Sequence, residues 1–175
     1  GWCVSVLIND FNELLSAAIK GSTADLPPVI PYSNYINWLK TIDREHSLGY
    51  WEGNLKGYAV PVEIPFKTRA VGTTYIRSNE RLEIGGAMFK QVDTLCTTLG
   101  ITHNTFIQGV WGYLLSRYNN TSDVVFGAVV SGRPADLAGV EDMIGLFSNT
   151  IPVRVQYDVD TTAADLLKML QEQSI

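Results

Sequence analysis

The chain has 175 residues, 46% of them hydrophobic and 18% charged, which is enough to bury the core of one soluble domain. Its net charge of −5 and its 13 scattered lysines and arginines argue against nucleic acid as a partner, because a phosphate-binding surface needs clustered cations. No apolar run reaches membrane-spanning length, and two cysteines are too few for a disulfide framework, so we expect a protein of the reducing cytoplasm.

The first 20 residues predict an amphipathic helix, from Trp2 to Lys20. Its apolar face would carry Trp2, Val6, Leu7, Phe11, Leu14, Leu15 and Ala18. No capping residue precedes this helix, so it begins abruptly. The following segment, Ser22 to Pro31, is rich in proline and small residues, and it indicates a linker and a boundary near Gly21.

The next segment, Tyr32 to Leu55, predicts two helices separated near Ser47 to Gly49. Two prolines in Asn54 to Gly72 favour an extended surface segment. Thr73 to Ile84 is predicted as a strand, because β-branched and aromatic residues alternate there with charges.

Two further helices are predicted, Ala87 to Leu99 and Asn104 to Tyr118, with Thr102 or Asn104 capping the second. The second helix is expected to be largely buried, because it carries Phe106, Ile107, Val110, Trp111, Leu114 and Leu115. Tryptophan at helical spacing is usually core, and Cys3 and Cys96 are interpreted as buried thiols within helices.

The apolar run Val124 to Val130 predicts a central strand that is buried on both faces. Gly132 and Pro134 end it and present Ser131 and Arg133 at a strand terminus, where open sheets usually place ligands. A second strand, Ile151 to Val155, and a final helix, Thr161 to Gln173, complete a predicted α/β sandwich of helices on a mixed sheet.

Familiar catalytic devices are missing from the sequence. The two histidines, His46 and His103, have no cysteine, aspartate or second histidine at ligand spacing, so we predict no metal site. No glycine-rich phosphate loop and no Gly-x-Ser-x-Gly elbow occur.

Two sequence runs carry a specific family resemblance. Val129 to Pro134 (VVSGRP) and Ile144 to Arg154 (IGLFSNTIPVR) closely resemble the condensation domain of nonribosomal peptide synthetases. Tyr32 to Trp38 (YSNYINW) is similar to the family's Tyr-x-Asp-(Tyr/Phe)-x-x-Trp motif, with Asn34 in place of aspartate. Tyr50-Trp51 and the segment Asn104 to Trp111 also look like family segments, so the resemblance covers essentially the whole chain.

The resemblance implies a chloramphenicol acetyltransferase-like, two-layer α/β sandwich with two lobes. The family's active-site motif is His-His-x-x-x-Asp-Gly, and Gly1-Trp2 matches its end, so both motif histidines would precede this sequence. Residues 1–21 would then be the helix after the motif, in the N-terminal lobe. Residues 22–175 would be part of the C-terminal lobe.

The implied activity is formation of an amide bond in the biosynthesis of a peptide natural product such as an antibiotic. Donor and acceptor peptidyl carrier domains would present the substrates on phosphopantetheine, and the domain itself would bind no cofactor directly. The resemblance also implies an adjacent adenylation domain and the missing parts of the same condensation domain as partners.

Site residues follow from the same resemblance. The Gly1 backbone amide is a candidate oxyanion donor. Ser131, Asn149 and Trp111 are expected to line the substrate tunnel, although Ser131 and Asn149 could instead stabilise loops and Trp111 could be core. Arg133 is expected to act as a structural brace, paired with the motif aspartate, rather than as a solvated turn residue.

Three functional interpretations stay open: a condensing acyltransferase, a noncatalytic docking scaffold of the same fold, and a related acyltransferase that uses free coenzyme A thioesters. The residues before Gly1 distinguish the first two, and turnover of a pantetheine-tethered rather than a free acceptor distinguishes the third. Because the motif histidines are absent, we expect these 175 residues alone to be inactive.

We predict that the isolated 175 residues self-associate or aggregate, because a slice of a larger domain exposes an apolar helix face and unpaired strand edges. Light scattering of the purified chain tests this expectation. Adding the flanking segments, in one chain or as separate fragments, should make it monodisperse. A monomer at micromolar concentration that unfolds cooperatively and ignores those segments would contradict the prediction.

Overall fold

The computed structural model describes residues 3–64 and 78–174, which form helices and one small sheet. In chain order the elements are α1 (Cys3–Lys20), α2 (Ser33–Leu39), α3 (Arg44–Leu55), α4 (Gly86–Leu99), α5 (His103–Asn119), β1 (Asp123–Ser131), β2 (Ser148–Gln156) and α6 (Ala163–Gln173), with a 3-10 turn at Val140–Asp142. This mixture confirms the predicted α/β class. Within the described ranges, no helix is both long enough and apolar enough to cross a bilayer.

Residue contacts divide the chain into two compact units. The first comprises Gly1–Glu52 and Ala128–Ile151, and the second comprises Gly53–Gly127 and Pro152–Ile175. Both strands contribute residues to both units. The predicted lobe boundary near Gly21 stays a prediction.

The two strands pair in antiparallel fashion. The backbone N–H of Tyr157 donates to the carbonyl of Ser122 (3.0 Å), and the N–H of Gly132 donates to the carbonyl of Phe147 (2.7 Å). Both hydrogen bonds fit one register, because residues at equal steps along the two strands face each other.

The predicted central strand is wrong for the described residues, where β1 has β2 as its one partner. Burial alternates along its second half, and Val129 is 72% exposed although its β-branched side chain suits a covered strand. The apolar run therefore predicted a strand correctly, but it did not determine how many strands flank it.

Helix α5 turns a face of small residues toward the core of the second unit. Its buried residues are Thr105, Gly109, Gly112, Leu115 and Ser116. A Cβ at Gly109 would lie 2.5 Å from Leu167 Cδ2 of α6, and a Cβ at Gly112 would collide with Val155 of β2. Close approach of these neighbours thus depends on the absence of side chains at two positions.

The prediction that the large apolar side chains of α5 are buried holds for Leu115, which is 3% exposed, and partly for Phe106, but it is wrong for the other four. Ile107, Val110 and Leu114 are 53%, 50% and 40% exposed, and Trp111 is 40% exposed rather than core. Large apolar residues and glycines share this helix, and glycine permits the closer packing.

Helix α1 confirms the predicted amphipathic helix in its described part. Among its residues, Ala17 alone is buried. Seven apolar side chains are between 46% and 77% exposed: Val4, Leu7, Ile8, Phe11, Leu14, Leu15 and Ile19. Its apolar face therefore lies open in this chain.

Side-chain hydrogen bonds cap the starts of α5 and α6. Thr102 caps α5, as predicted, by accepting a hydrogen bond from the Thr105 N–H. Thr162 and Asp165 form a reciprocal capping box at the start of α6, and the hydrogen bond from the Thr162 hydroxyl lowers the pKa of Asp165.

Two boundaries differ from the prediction. The break in the segment from Tyr32 to Leu55 falls at residues 40–43, because Asp43 accepts a hydrogen bond from the His46 N–H and starts α3 there. His46 therefore lies inside α3. Residues 78–84 of the predicted strand contain no strand and are exposed, and the rest of that predicted strand, 73–77, lies outside the described residues.

We expect Gly112→Ala to destabilise the second unit by about 1–3 kcal/mol, because the new methyl group would overlap Val155. Pulse proteolysis of the full-length protein across a urea series measures this change. Gly53→Ala is the matched control, because Gly53 is also helical and nothing lies within 4 Å of the position that its Cβ would occupy. If Gly112→Ala unfolded at the same urea concentration as Gly53→Ala, the close approach of α5 to β2 would be contradicted.

Candidate functional site

The connection between β1 and β2, residues Gly132–Phe147, is called the hairpin loop. Ser131 ends β1 immediately before the loop, and Asn149 is the second residue of β2 after it. The loop and both residues lie in the first unit. These positions hold the residues for which the sequence predicted substrate contact.

A backbone contact closes the hairpin loop. The hydrogen bond from Gly132 to the Phe147 carbonyl is so close that a Cβ at residue 132 would collide with that oxygen. The same Cβ position lies 3.2 Å from the hydroxyl of Tyr35. Glycine is therefore required at the end of β1.

Ser131 and Asn149 lie on neighbouring strands but face different ways. In the register set by Gly132 and Phe147, Ser131 is opposite Ser148, and Asn149 is opposite Val130. Because side chains alternate along a strand, Ser131 and Asn149 belong to opposite faces of the ribbon. Both are exposed, and the Asn149 Oδ1 accepts a hydrogen bond from the Thr150 N–H at 2.9 Å.

Aromatic residues of the α2 segment hold the hairpin loop. The hydroxyl of Tyr32 donates to the carbonyl of Leu146 (2.7 Å), and the indole N–H of Trp38 donates to Asp136 (3.1 Å). Tyr35 packs against the ring of Phe147, with ring centroids 4.7 Å apart. The three aromatic residues are three apart in sequence, which places them along one side of the helical segment.

The buried part of the loop completes this cluster. Its core consists of Tyr35, Val140, Met143 and Phe147. Met143 is fully buried and follows the 3-10 turn. The loop is therefore a packed element rather than a solvated excursion.

The guanidinium of Arg133 is inserted into the hairpin loop. It donates to the carbonyls of Val140 and Met143, the latter at 2.9 Å, and its carbon lies 3.9 Å from the centroid of the Phe147 ring. It is half-buried, so the interpretation as a solvated turn residue is wrong. Among residues 3–64 and 78–174, no carboxylate pairs with it, and its predicted partner, the motif aspartate, is not in this sequence.

The thiol of Cys3, the first residue of α1, completes this contact. It lies 3.4 Å from Nη2 of Arg133 and donates to the carbonyl of Gly145 at 3.2 Å. The Gly145 N–H points back to the sulfur at 3.5 Å. Cys3 is half-buried in its helix, and Cys96 in α4 is fully buried, so the predicted interior thiols are confirmed for Cys96 and partly for Cys3.

A second arginine forms a different centre, in the second unit. Arg154 is 9% exposed, and it binds both carboxylate oxygens of Asp123, through Nε at 2.8 Å and Nη2 at 2.6 Å. Its Nη1 donates to the carbonyls of Asn54 and Lys56. The hydrogen bond to Asp123 raises the pKa of Arg154 above its usual range.

The other predicted site residues do not join these centres. Gly1 lies outside the described residues, and Trp111 is half-exposed on α5. His46 is exposed on α3, and His103 lies at the start of α5, with Nε2 3.2 Å from Asp93. No group of three or more potential metal ligands occurs in the part of the chain that the structure describes.

Sequence reasoning missed the contact of Cys3 with Arg133 and the pair of Arg154 with Asp123. Sequence separations of 130 and 31 residues hide both contacts. The second had a signal: once the hairpin register is known, Asp123 and Arg154 fall on one face as diagonal neighbours. The first had none, since a cysteine at the start of a helix is usually core.

Comparison with known proteins places this geometry in a family. A sequence model described as Condensation domain matches residues 1–175. The chain is 36% identical to tyrocidine synthase 2 of Brevibacillus parabrevis and 38% identical to bacitracin synthase 3 of Bacillus licheniformis. These alignments cover 100% of the chain but 5% and 3% of the two relatives.

Solved structures show the same fold at lower identity. The first condensation domain of the CDA synthetase matches with a TM-score of 0.73 and 18% identity, over 99% of this chain and 39% of that one. The X-domain from teicoplanin biosynthesis, in complex with OxyB, matches with a TM-score of 0.75 and 20% identity, over 98% and 40% of the two chains. The predicted chloramphenicol acetyltransferase-like α/β fold is confirmed by these likenesses.

We expect Tyr32→Phe to loosen the hairpin loop, because it removes the hydrogen bond to the Leu146 carbonyl. A net loss of about 0.5–1.5 kcal/mol corresponds to exchange that is roughly two- to tenfold faster for amides of residues 140–147. Hydrogen–deuterium exchange mass spectrometry of the full-length protein measures this rate. Tyr50→Phe, at a half-exposed tyrosine of α3, is the control. Equal exchange rates in both variants would show that the hydrogen bond from Tyr32 does not stabilise the hairpin loop.

Proposed function

Because the chain belongs to the condensation domain family, we propose that it is part of a domain that forms an amide bond in nonribosomal peptide synthesis. The observation that carries the proposal is the family match over all 175 residues, with peptide synthases as relatives at 36–38% identity. Since the chain spans 3–5% of those relatives, the substrates and partners named below are part of the proposal.

The proposed reaction transfers an acyl group from a thioester to an amine. The acceptor amine attacks the donor carbonyl, a C–N bond forms, the C–S bond breaks, and the carrier thiol leaves with a proton. A general base must take the proton that the amine loses. His46 and His103 are both exposed, so we assign this step to the histidines of the family motif, outside these residues.

The residues of this chain would bind and orient. Ser131 and Asn149 offer exposed polar groups at the end of the hairpin, on opposite faces of the ribbon, so each would contact a different part of the tethered substrates. Trp111 would supply an aromatic wall, which its half-exposed side chain permits. The backbone amide of Gly1 would stabilise the developing oxyanion.

The proposed partners are donor and acceptor peptidyl carrier domains, an adjacent adenylation domain and the remaining parts of the condensation domain. The substrates would arrive on phosphopantetheine, so the domain itself would need no bound cofactor. We place the reaction in the cytoplasm.

A second candidate function is docking without catalysis. The fold is shared with the X-domain, which was solved in complex with OxyB, and the likeness itself concerns the fold alone. On this alternative, the condensation scaffold would bind a carrier domain or a tailoring enzyme and form no amide.

We predict that the full-length protein forms an amide from loaded donor and acceptor carriers, whereas residues 1–175 alone give no more product than a reaction without enzyme. Loss of general acid–base help costs roughly 10²- to 10⁴-fold in rate. Mass spectrometry of the carrier-bound product measures the transfer.

Three results separate the candidates. Amide product from the full-length protein supports condensation. Carrier binding without product supports docking, and product from residues 1–175 alone would overturn the assignment of the base to residues outside this chain.

A further inference from the structure

One side chain joins three segments of the first unit. Arg133 is the second residue after the end of β1, its guanidinium binds the carbonyls of Val140 and Met143 in the hairpin loop, and its Nη2 reaches the thiol of Cys3 at the start of α1. The planar guanidinium has several N–H donors in fixed directions, so it can satisfy these acceptors at once. A lysine has a single ammonium group, so it cannot reach these separate acceptors with donors in fixed directions.

The Cys3 thiol both donates and accepts hydrogen bonds where α1 meets the hairpin loop. Cys3 donates to the Gly145 carbonyl at 3.2 Å while the Gly145 N–H and the Arg133 N–H both point at its sulfur. The start of α1 is thereby tied to the hairpin loop by side-chain and backbone contacts. Cys3 directly follows Gly1-Trp2, and Arg133 is two residues from Ser131.

These ties connect two places that matter for the proposed reaction. One is the end of β1, which carries Ser131. The other is the helix that follows the family's active-site glycine. A shift of about 1 Å between groups that must meet in the transition state costs on the order of 10²-fold in rate, even when the shifted residue lies away from the chemistry.

We propose that Arg133 is a positioning residue for amide formation, acting through Cys3 and the hairpin-loop carbonyls to fix the start of α1 against the end of β1. The inference rests on the proposed function. It assigns the arginine a partner in this chain, a thiol, in addition to the expected brace toward the motif aspartate. The rate of acyl transfer, rather than the capture of carriers, depends on this contact.

Arg133→Lys and Cys3→Ala in the full-length protein test the proposal. Arg133→Lys keeps the charge, and Cys3→Ala keeps a good helix former at the start of α1. Each variant should lower kcat by about ten- to a hundredfold while KM for either loaded carrier changes less than about threefold. Arg44→Lys, at an exposed arginine of the same unit, is the control and should match the unchanged protein.

Coupling and rescue separate positioning from general destabilisation. Because both residues act through one contact, the double variant Arg133→Lys with Cys3→Ala should be no slower than the slower single variant. Cys3→Ser retains a donor and an acceptor and should return kcat to within about threefold of the unchanged protein.

Three outcomes would overturn the proposal: an unchanged kcat in both single variants, losses in kcat that multiply in the double variant, or a Cys3→Ser variant as slow as Cys3→Ala. In each of these the unchanged protein still forms the amide, so the proposed function survives. An unchanged protein that forms no amide from loaded carriers overturns the proposed function, and the positioning role with it.

Discussion

A charged group that leaves water must be held by other polar groups, and at the end of the β1–β2 hairpin that group is the guanidinium of Arg133. Two carbonyls, a thiol and an aromatic face surround it. The 3-10 turn at Val140–Asp142 brings the carbonyl of Val140 inward, and the burial of Met143 keeps the next acceptor in place. The conformation of the hairpin loop and the position of the cation therefore determine each other.

The second unit satisfies its buried arginine by a different route. Arg154 is matched by the carboxylate of Asp123, with two direct hydrogen bonds, and two backbone carbonyls take its remaining donors. A pair of this kind compensates charge as well as hydrogen bonds, whereas the contacts of Arg133 compensate mainly hydrogen bonds. Removal of Asp123 would thus leave an uncompensated cation, and removal of Cys3 would leave the contacts of Arg133 to two carbonyls intact.

Local sequence determined the element types well and their surroundings poorly. Helical spacing located α1, α4 and α5 to within a residue or two, and Thr102 marked a helix start, because these features depend on neighbours along the chain. The predicted burial of most large apolar side chains on α5 was wrong, because it depends on how closely β2 and α6 approach, which no local pattern encodes.

For the candidate site too, local sequence predicted the backbone features but not the tertiary contacts. The strand end at Ser131 followed from Gly132 and Pro134, whereas the environment of Arg133 required residues from α1 and from the far side of the loop. The family motifs indicated candidate residues. Their hydrogen-bond partners became visible with the three-dimensional arrangement.

The small-residue face of α5 constrains the side chains that its neighbours can carry. Gly109 leaves room for Leu167, whose Cδ2 occupies the space that a methyl group would need. A larger residue at position 109 would have to displace this Cδ2 methyl group, and a shorter side chain at position 167 would give it room at the same helix spacing. Among related chains, the volumes at these two positions should vary in opposite directions, so that their sum changes less than either one.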